Sequence, residues 1–299
     1  MTRGAPLLSL LLGGLAIGGC AASPPQGGIV STNPCADAIL AEVAPDRLAA
    51  VSHYSHDPAA TSMPLALARR WPATAGTAEE VIARHPDLVV TDSFAPAASR
   101  AAYAKAGLTV LTLGPVATIA DSERQVMEIA TAAGRAARGQ AMVAGIERAI
   151  TTYARPRREG SGGAARRPPV AAPRLGPGVR RRGGHVGGQP SALLYIAGDL
   201  ASGSGNLLDD MLTRSGFRNA AADYGLSFTG TLPIETIVAH PPTIILSPGD
   251  GRTAAVRRRV LARTHAPTRE VAFPRHLMNC GGPVIPAALA RLAALRKAL

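Results

Sequence analysis

The chain has 299 residues, 32 basic and 20 acidic side chains, a formal net charge of +12 and only 3% aromatic residues. Such a charge would ordinarily raise nucleic acid or an anionic membrane as partners, but its distribution excludes that reading. Residues 155–190 hold nine arginines against the single acid Glu159, which is +8 of the total and leaves +4 for the rest. The same stretch has no aromatic side chain to stack on a base, so no nucleic-acid partner is expected.

In chain order, Arg3 precedes an apolar run from Leu7 to Ile17, too short to span a bilayer but suited to a signal-peptide core. The run closes on Ile17-Gly18-Gly19-Cys20, which resembles the lipobox of bacterial lipoproteins. That resemblance implies a signal peptide over 1–19, a lipidated Cys20 and a flexible tether over 20–28. An ordinary secretory signal cleaved near Ala22 is the alternative, and both readings export the chain. No second apolar run of spanning length follows.

From Ile29 the text alternates between short apolar runs and helical patterns. Strands are expected at 29–31, 48–52, 88–91 and 109–113, with helices starting near Asn33 and over 79–84 and 98–106. Strands separated by helices in this way make a parallel sheet covered on both faces, an N-terminal α/β lobe over 29–118. From 119 to 154 the helical signal is nearly continuous, and predicts one connecting helix of about 45 Å. Residues 155–190 are too rich in Arg, Gly and Pro to build a core, which predicts disorder. Their abrupt onset inside a helical pattern raises a compensated pair of frameshifts as their origin. Alternation resumes over 191–299 as a second α/β lobe, with strands at 193–196, 244–246 and 270–273 and a closing helix from Pro286.

One phrase occurs in both lobes. Glu80-Val-Ile-Ala-Arg-His-Pro-Asp-Leu-Val-Val and Glu235-Thr-Ile-Val-Ala-His-Pro-Pro-Thr-Ile-Ile share Glu, Ile, His and Pro at equivalent positions. Each reads as an acidic helix start, a short helix, a proline stop and a buried strand, so the chain is expected to consist of two similar lobes. His85 and His240 fall at the helix ends, where they are expected to cap the last carbonyls.

An exported lipoprotein with two α/β lobes, a long connecting helix and this twin phrase resembles the class III periplasmic substrate-binding proteins of ABC importers, which carry vitamin B12, haem and ferric siderophores. The resemblance covers 29–153 and 191–299, and 155–190 departs from it. It implies a lobed monomer that captures a metal chelate, ferric siderophore or cobalamin, in the cleft between lobes and delivers it to an ABC permease and its ATPase subunits. It also implies a periplasmic location with a membrane anchor through Cys20, and assigns Glu80 and Glu235 to docking on the permease. A glutamate at a helix start is also favoured by the helix dipole alone.

The cleft should lie at the carboxyl ends of the strands. Its candidate ligand-binding residues are Asn33, Cys35, Tyr54, Ser55, His56, Ser93 and Phe94 from the first lobe, and Tyr195, Phe228, Thr229, Arg275 and Asn279 from the second. Cys35 and Cys280 sit one per lobe: a disulfide would latch the lobes, free thiols would contact a chelate, and the sequence leaves both open. His53-Tyr54-Ser55-His56-Asp57 has metal-type donors, so a zinc or manganese-ion binder is one alternative, although the second lobe offers only His276 to complete a set. A cleft-based hydrolase or lyase is another. The chain has no Gly-x-Ser-x-Gly elbow, Walker loop or His-Glu-x-x-His, and neither catalytic residues, a resident metal nor a cofactor is expected.

Overall fold

The computed structural model describes residues 27–154, 188–249, 251–263 and 268–299. The signal peptide, Cys20 and nearly all of the Arg/Gly/Pro-rich stretch lie outside these residues. Among the described residues no helix is long and apolar enough to cross a membrane.

The first lobe is a five-stranded parallel sheet. Its strands are β1 (Ile29–Ser31), β2 (Leu48–Ser52), β3 (Ala73–Thr74), β4 (Leu88–Asp92) and β5 (Val110–Leu113), in the order β3-β2-β1-β4-β5. Ile29, Val30, Val51, Val89 and Val90 are fully buried, because helices cover both faces of a parallel sheet and leave no solvent side. The helices are α1 (Pro34–Val43), α2 (Leu65–Ala68), α3 (Ala78–Ala83) and α4 (Ala97–Lys105). Asn33 starts α1 by accepting from the amides of Cys35 and Ala36, with Pro34 at the first helical position, where a missing N–H costs nothing. The strand order reverses direction between β1 and β4, so the loops that follow these two strands part there and open a crevice.

The expected single connecting helix is two helices, α5 (Ile119–Ala132) and α6 (Ala136–Tyr153), packed against each other. The break has a local cause at Gly134, which adopts φ +65°. There the amides of Gly134 and Arg135 close onto the carbonyls of Thr131 and Ala130 and end the first helix. The apolar stripe continues through the break, which is why it reads as one element. Thr118 and Asp121 form a capping box at the start of α5. Ile119 belongs to the core of the second lobe, whereas Val126, Ile129 and Ala130 belong to that of the first. Helix α6 then returns, with Met142 and Val143 on the first core and Ile146 and Ala149 in the second. Its 18 residues rise about 27 Å, so α6 is the longer of the two helices that pass between the lobes.

The second lobe contains β6 (Ser191–Ala197), β7 (Leu200–Ala201), α7 (Leu207–Arg214), β8 (Arg218–Asn219), β9 (Gly230–Thr231), α8 (Ile234–Ala239), β10 (Ile244–Ser247), α9 (Gly251–Arg263), β11 (Arg269–Ala272) and α10 (Ile285–Lys297). Strands β11, β10 and β6 are parallel, as expected, whereas β7 runs antiparallel to β6, and β9 antiparallel to β7. These edge strands are two residues each, too short to leave a periodic signal in sequence. The buried pair Arg257–Glu270 (2.8 Å) ties α9 to β11, and the Arg257 guanidinium lies 4.0 Å over the Tyr195 ring.

Candidate functional site

A cavity of about 330 Å³ lies between the lobes, at the carboxyl ends of β1, β4 and β5. The first lobe contributes Asn33 and Cys35 from the start of α1, and Asp92 and Phe94 from the end of β4. Gly114, Pro115 and Val116 cross from β5 towards the second lobe, and Gln125 points in from α5. The second lobe supplies Ile196, Ser202, Asn206 and Leu207 at the start of α7, then Thr229 and the segment Met278–Gly281.

The floor is fastened by that last segment. Cys35 and Cys280 form a disulfide with their Cα atoms 5.2 Å apart, so the thiols that the sequence left open are joined across the lobes. Next to it, Asn279 Nδ2 donates to the carbonyls of Ala59 (3.3 Å) and Ala60 (2.9 Å) in the first lobe. The amide of Gly282 donates to Ser122 Oγ at 2.7 Å. Glycine is required at both 281 and 282: a Cβ would lie 2.3 Å from Ser122 Oγ at the first and 2.8 Å from Ile39 at the second. The disulfide and these hydrogen bonds tie the two lobes together at the floor of the cavity.

Five of the candidate ligand-binding residues come together here: Asn33, Cys35, Phe94, Thr229 and Asn279. Phe94 is 82% exposed at the mouth, and Phe228, beside Thr229, is 81% exposed. The other candidates have local work elsewhere. Tyr54 stacks against His53, with ring centroids 4.0 Å apart, and Ser55 is buried and donates to Asp37. His56 Nε2 lies 3.2 Å from the carbonyls of both Ala68 and Trp71, so it serves as a donor to backbone and not as a metal ligand. Ser93 is exposed outside the cavity wall. Tyr195 is buried, with its hydroxyl donating to Leu232 O, and Arg275 donates to Ile196 O. Among the described residues no group of three or more His, Cys, Asp or Glu side chains could hold a metal ion.

Sequence reasoning missed Val116, Gln125, Asn206 and Leu207. Gln125 was hidden inside a helical pattern, and Asn206 could have been found as the cap of α7, since its Oδ1 accepts from the amide of Asp209. The histidines of the twin phrase do cap the last carbonyls, with backbone N–H groups and, among the described residues, not with imidazole. His85 adopts φ +45° and closes its helix with its backbone, donating N–H to Ile82 O, and His240 N–H donates to Thr236 O. Glu80 and Glu235 are both exposed, each in the first turn of its helix. Glu80 accepts from Thr74 Oγ1 and from the amide of Ala75, both at 2.8 Å, and these bonds hold its carboxyl below the usual range.

A family model described as periplasmic binding protein matches residues 29–156. The solved structures of three proteins align over nearly the whole chain. The apo periplasmic heme-binding protein RhuT of Roseiflexus sp. RS-1 is 20% identical with a TM-score of 0.62, covering 91% of this chain and 97% of that one. The periplasmic heme-binding protein HutB of Vibrio cholerae is 16% identical at 0.64, with 90% and 98% covered. The periplasmic vitamin B12-binding protein BtuF of the same organism is 16% identical at 0.62, with 92% and 98% covered. This chain has the periplasmic binding protein fold. No curated protein sequence matches it significantly. The likeness extends across both lobes, whereas the family model ends with the connecting helices.

Proposed function

We propose that this protein is the substrate-binding component of an ABC import system, and that it captures a metal chelate, a ferric siderophore or a cobalamin, between its lobes for delivery to the membrane permease. The observation that carries this reading is the interlobe cavity itself, lined from both lobes at the carboxyl ends of the strands and backed by a fastened floor. A chelate touching both lobes favours the closed arrangement by its differential affinity alone. Proteins of the same fold bind heme and vitamin B12, which fits a large, partly apolar ligand. The cavity wall holds one ionisable carboxylate, Asp92, which accepts from Phe94 N–H and Asn33 Nδ2 and is thereby engaged in structure, an arrangement that suits binding and not turnover. Asn33, Phe94, Phe228, Thr229 and Asn279 are the residues assigned to the ligand.

The finer reading completes the pathway. Residues 1–19 are removed as a signal peptide, Cys20 carries the lipid that holds the protein at the membrane facing the periplasm, and Glu80 and Glu235 pair with cationic groups of the permease. Titration of the purified chain with cyanocobalamin, hemin and ferric siderophores, followed by equilibrium dialysis, tests the binding function; failure of all of them to bind would refute it. Mass spectrometry of the mature N-terminus tests the lipid, and double charge reversal at Glu80 and Glu235 is expected to abolish uptake while ligand affinity is retained.

A further inference from the structure

The chemistry of the cavity wall separates the chelates that the proposed function groups together. Among the described lining residues there is no Arg, Lys, His or Tyr. The wall instead carries four carboxamides, Asn33, Gln125, Asn206 and Asn279, and its one charged group is the carboxylate of Asp92. Arg275 donates to Ile196 O and does not line the cavity. The two helix starts that open on the space offer an anion little: at α1 the first amides are taken by the cap, and at α7 the cap takes one amide and a first-turn carboxylate opposes an anion. Asn33 Oδ1 takes the amides of Cys35 and Ala36 at α1, and Asn206 Oδ1 takes that of Asp209 at α7. A carboxylate, Asp209, also sits in the first turn of α7 and accepts from Gly205 N–H.

An anion entering this space loses water and gains no cation from the described lining residues, while Asp92 repels it. Among the described lining residues a metal centre with an open coordination position also finds no imidazole, phenol or thiolate: both cysteines are in the disulfide, and the one thioether, of Met278, is largely buried against the core of the second lobe. What the wall does offer is acceptors. Asn279 uses its Nδ2 on Ala59 and Ala60, and Gln125 uses its Nε2 on Gly114 O, which leaves Asn279 Oδ1 and Gln125 Oε1 without a donor among the described residues. These two carbonyl oxygens come from different elements of the wall, one on α5 and one on the fastened floor.

We propose that the cavity selects an uncharged, coordinatively saturated chelate that presents its own N–H groups, and that it discriminates against polyanionic chelates and against metal centres needing a protein ligand. This rests on the reading of the protein as a chelate binder and narrows it. The cavity volume lies at the lower end of the range of small-molecule sites, about 300–1,000 Å³, so a chelate larger than that enters by one edge and remains partly outside, beside Phe94 and Phe228.

The test is equilibrium dialysis of the full chain against four probes at low and high salt: cyanocobalamin, an uncharged ferric trihydroxamate, a trianionic ferric tris-catecholate and hemin. The expected result is that at least one uncharged probe binds about a hundredfold more tightly than the tris-catecholate and hemin, with an affinity that salt does not change. Tighter binding of the tris-catecholate or hemin overturns this inference while leaving the chelate-binding function standing; binding of none of the four overturns both. In the variant Gln125→Arg, the tris-catecholate is expected to gain at least tenfold and to become salt-sensitive. A urea midpoint equal to that of the parent chain shows that the variant is folded, and no gain for the anion in that folded variant also overturns the proposal.

Discussion

In the first lobe one carboxyl is fully buried without a cation beside it. Asp37 is fully buried in α1, where it accepts from the Ser52 amide at 2.8 Å and from Ser55 Oγ at 2.7 Å, while its Oδ1 has no partner among the described residues. Burial pushes its pKa up to about 7, despite the lowering effect of its hydrogen bonds. In the second lobe the Glu270 side chain is also nearly buried, at 4% exposure, but sits against Arg257, with Ser247 Oγ donating at 2.6 Å. The guanidinium also donates to Gly198 O, so α9, β11 and the turn after β6 are tied through one cation. The first lobe should therefore respond to pH and the second to loss of a partner, and the fastening between them determines whether these responses are felt together.

Breaking the fastening has the largest expected effect. The Cys35–Cys280 bond closes a separation of 245 residues, for which chain entropy predicts a stabilisation of about 5 kcal/mol. The double variant Cys35→Ser/Cys280→Ser is expected to lower the urea midpoint and split one transition into two, as each lobe melts by itself. A single unchanged transition would show that Asn279 and the Gly281–Gly282 contacts couple the lobes without it.

Next is the paired charge. Glu270→Ala leaves Arg257 buried without its carboxylate, with an expected loss of about 3–5 kcal/mol. Hydrogen exchange should place that loss in β6, β10 and α9, with the first lobe still protected. Replacing both partners by apolar residues should recover much of it, and equal exchange in the two lobes would contradict the separation drawn here.

The lone carboxyl ranks third, and its sign is the reverse of a salt-bridged acid. Because the folded pKa of Asp37 is raised from 3.8 to about 7, its contribution to stability is fully present below about pH 4 and is lost as pH rises through 7. The penalty at pH 8 is on the order of a few kcal/mol. Asp37→Asn is expected to flatten the dependence of the urea midpoint between pH 5 and pH 8 and to raise it at pH 8. A dependence as steep as in the parent chain would remove Asp37 as its cause.

The contrast between lobes also explains what could be seen in sequence. Strands such as Val89-Val90 and Ile244-Ile245-Leu246 were legible because burial on both faces demands continuous apolar text. The hairpin of α5 and α6 was not, since a single residue in a left-handed conformation, Gly134, reverses the chain without interrupting the stripe. At the site, the loops after β1 and β4 could be read from strand ends, which found Asn33 and Phe94. The loop after β2 could not be sorted in this way, because Ser55 and His56 turn inward to Asp37 and to backbone carbonyls, which are partners distant in sequence or not side chains at all.

The smallest effect concerns the twin acids, which share a phrase but not a neighbourhood. Helix α3 is capped by Thr77, which accepts from the amide of Glu80, and the Glu80 carboxylate is held by Thr74 and Ala75. Helix α8 begins after Pro233 with no side-chain cap, and Glu235 has no bonded partner among the described residues. A permease that pairs with both would meet one acid already oriented and another that must lose its freedom on docking, an entropic cost the first does not carry. Thr74→Val removes the main cause of the lowered Glu80 pKa, so NMR titration should find it moved back towards the ordinary carboxylate range. Global stability should change by no more than about 1 kcal/mol, the usual net worth of one hydrogen bond. An unmoved Glu80 pKa would mean that the Ala75 amide alone holds the carboxylate, and that the first lobe orients its acid through backbone and not through the threonine.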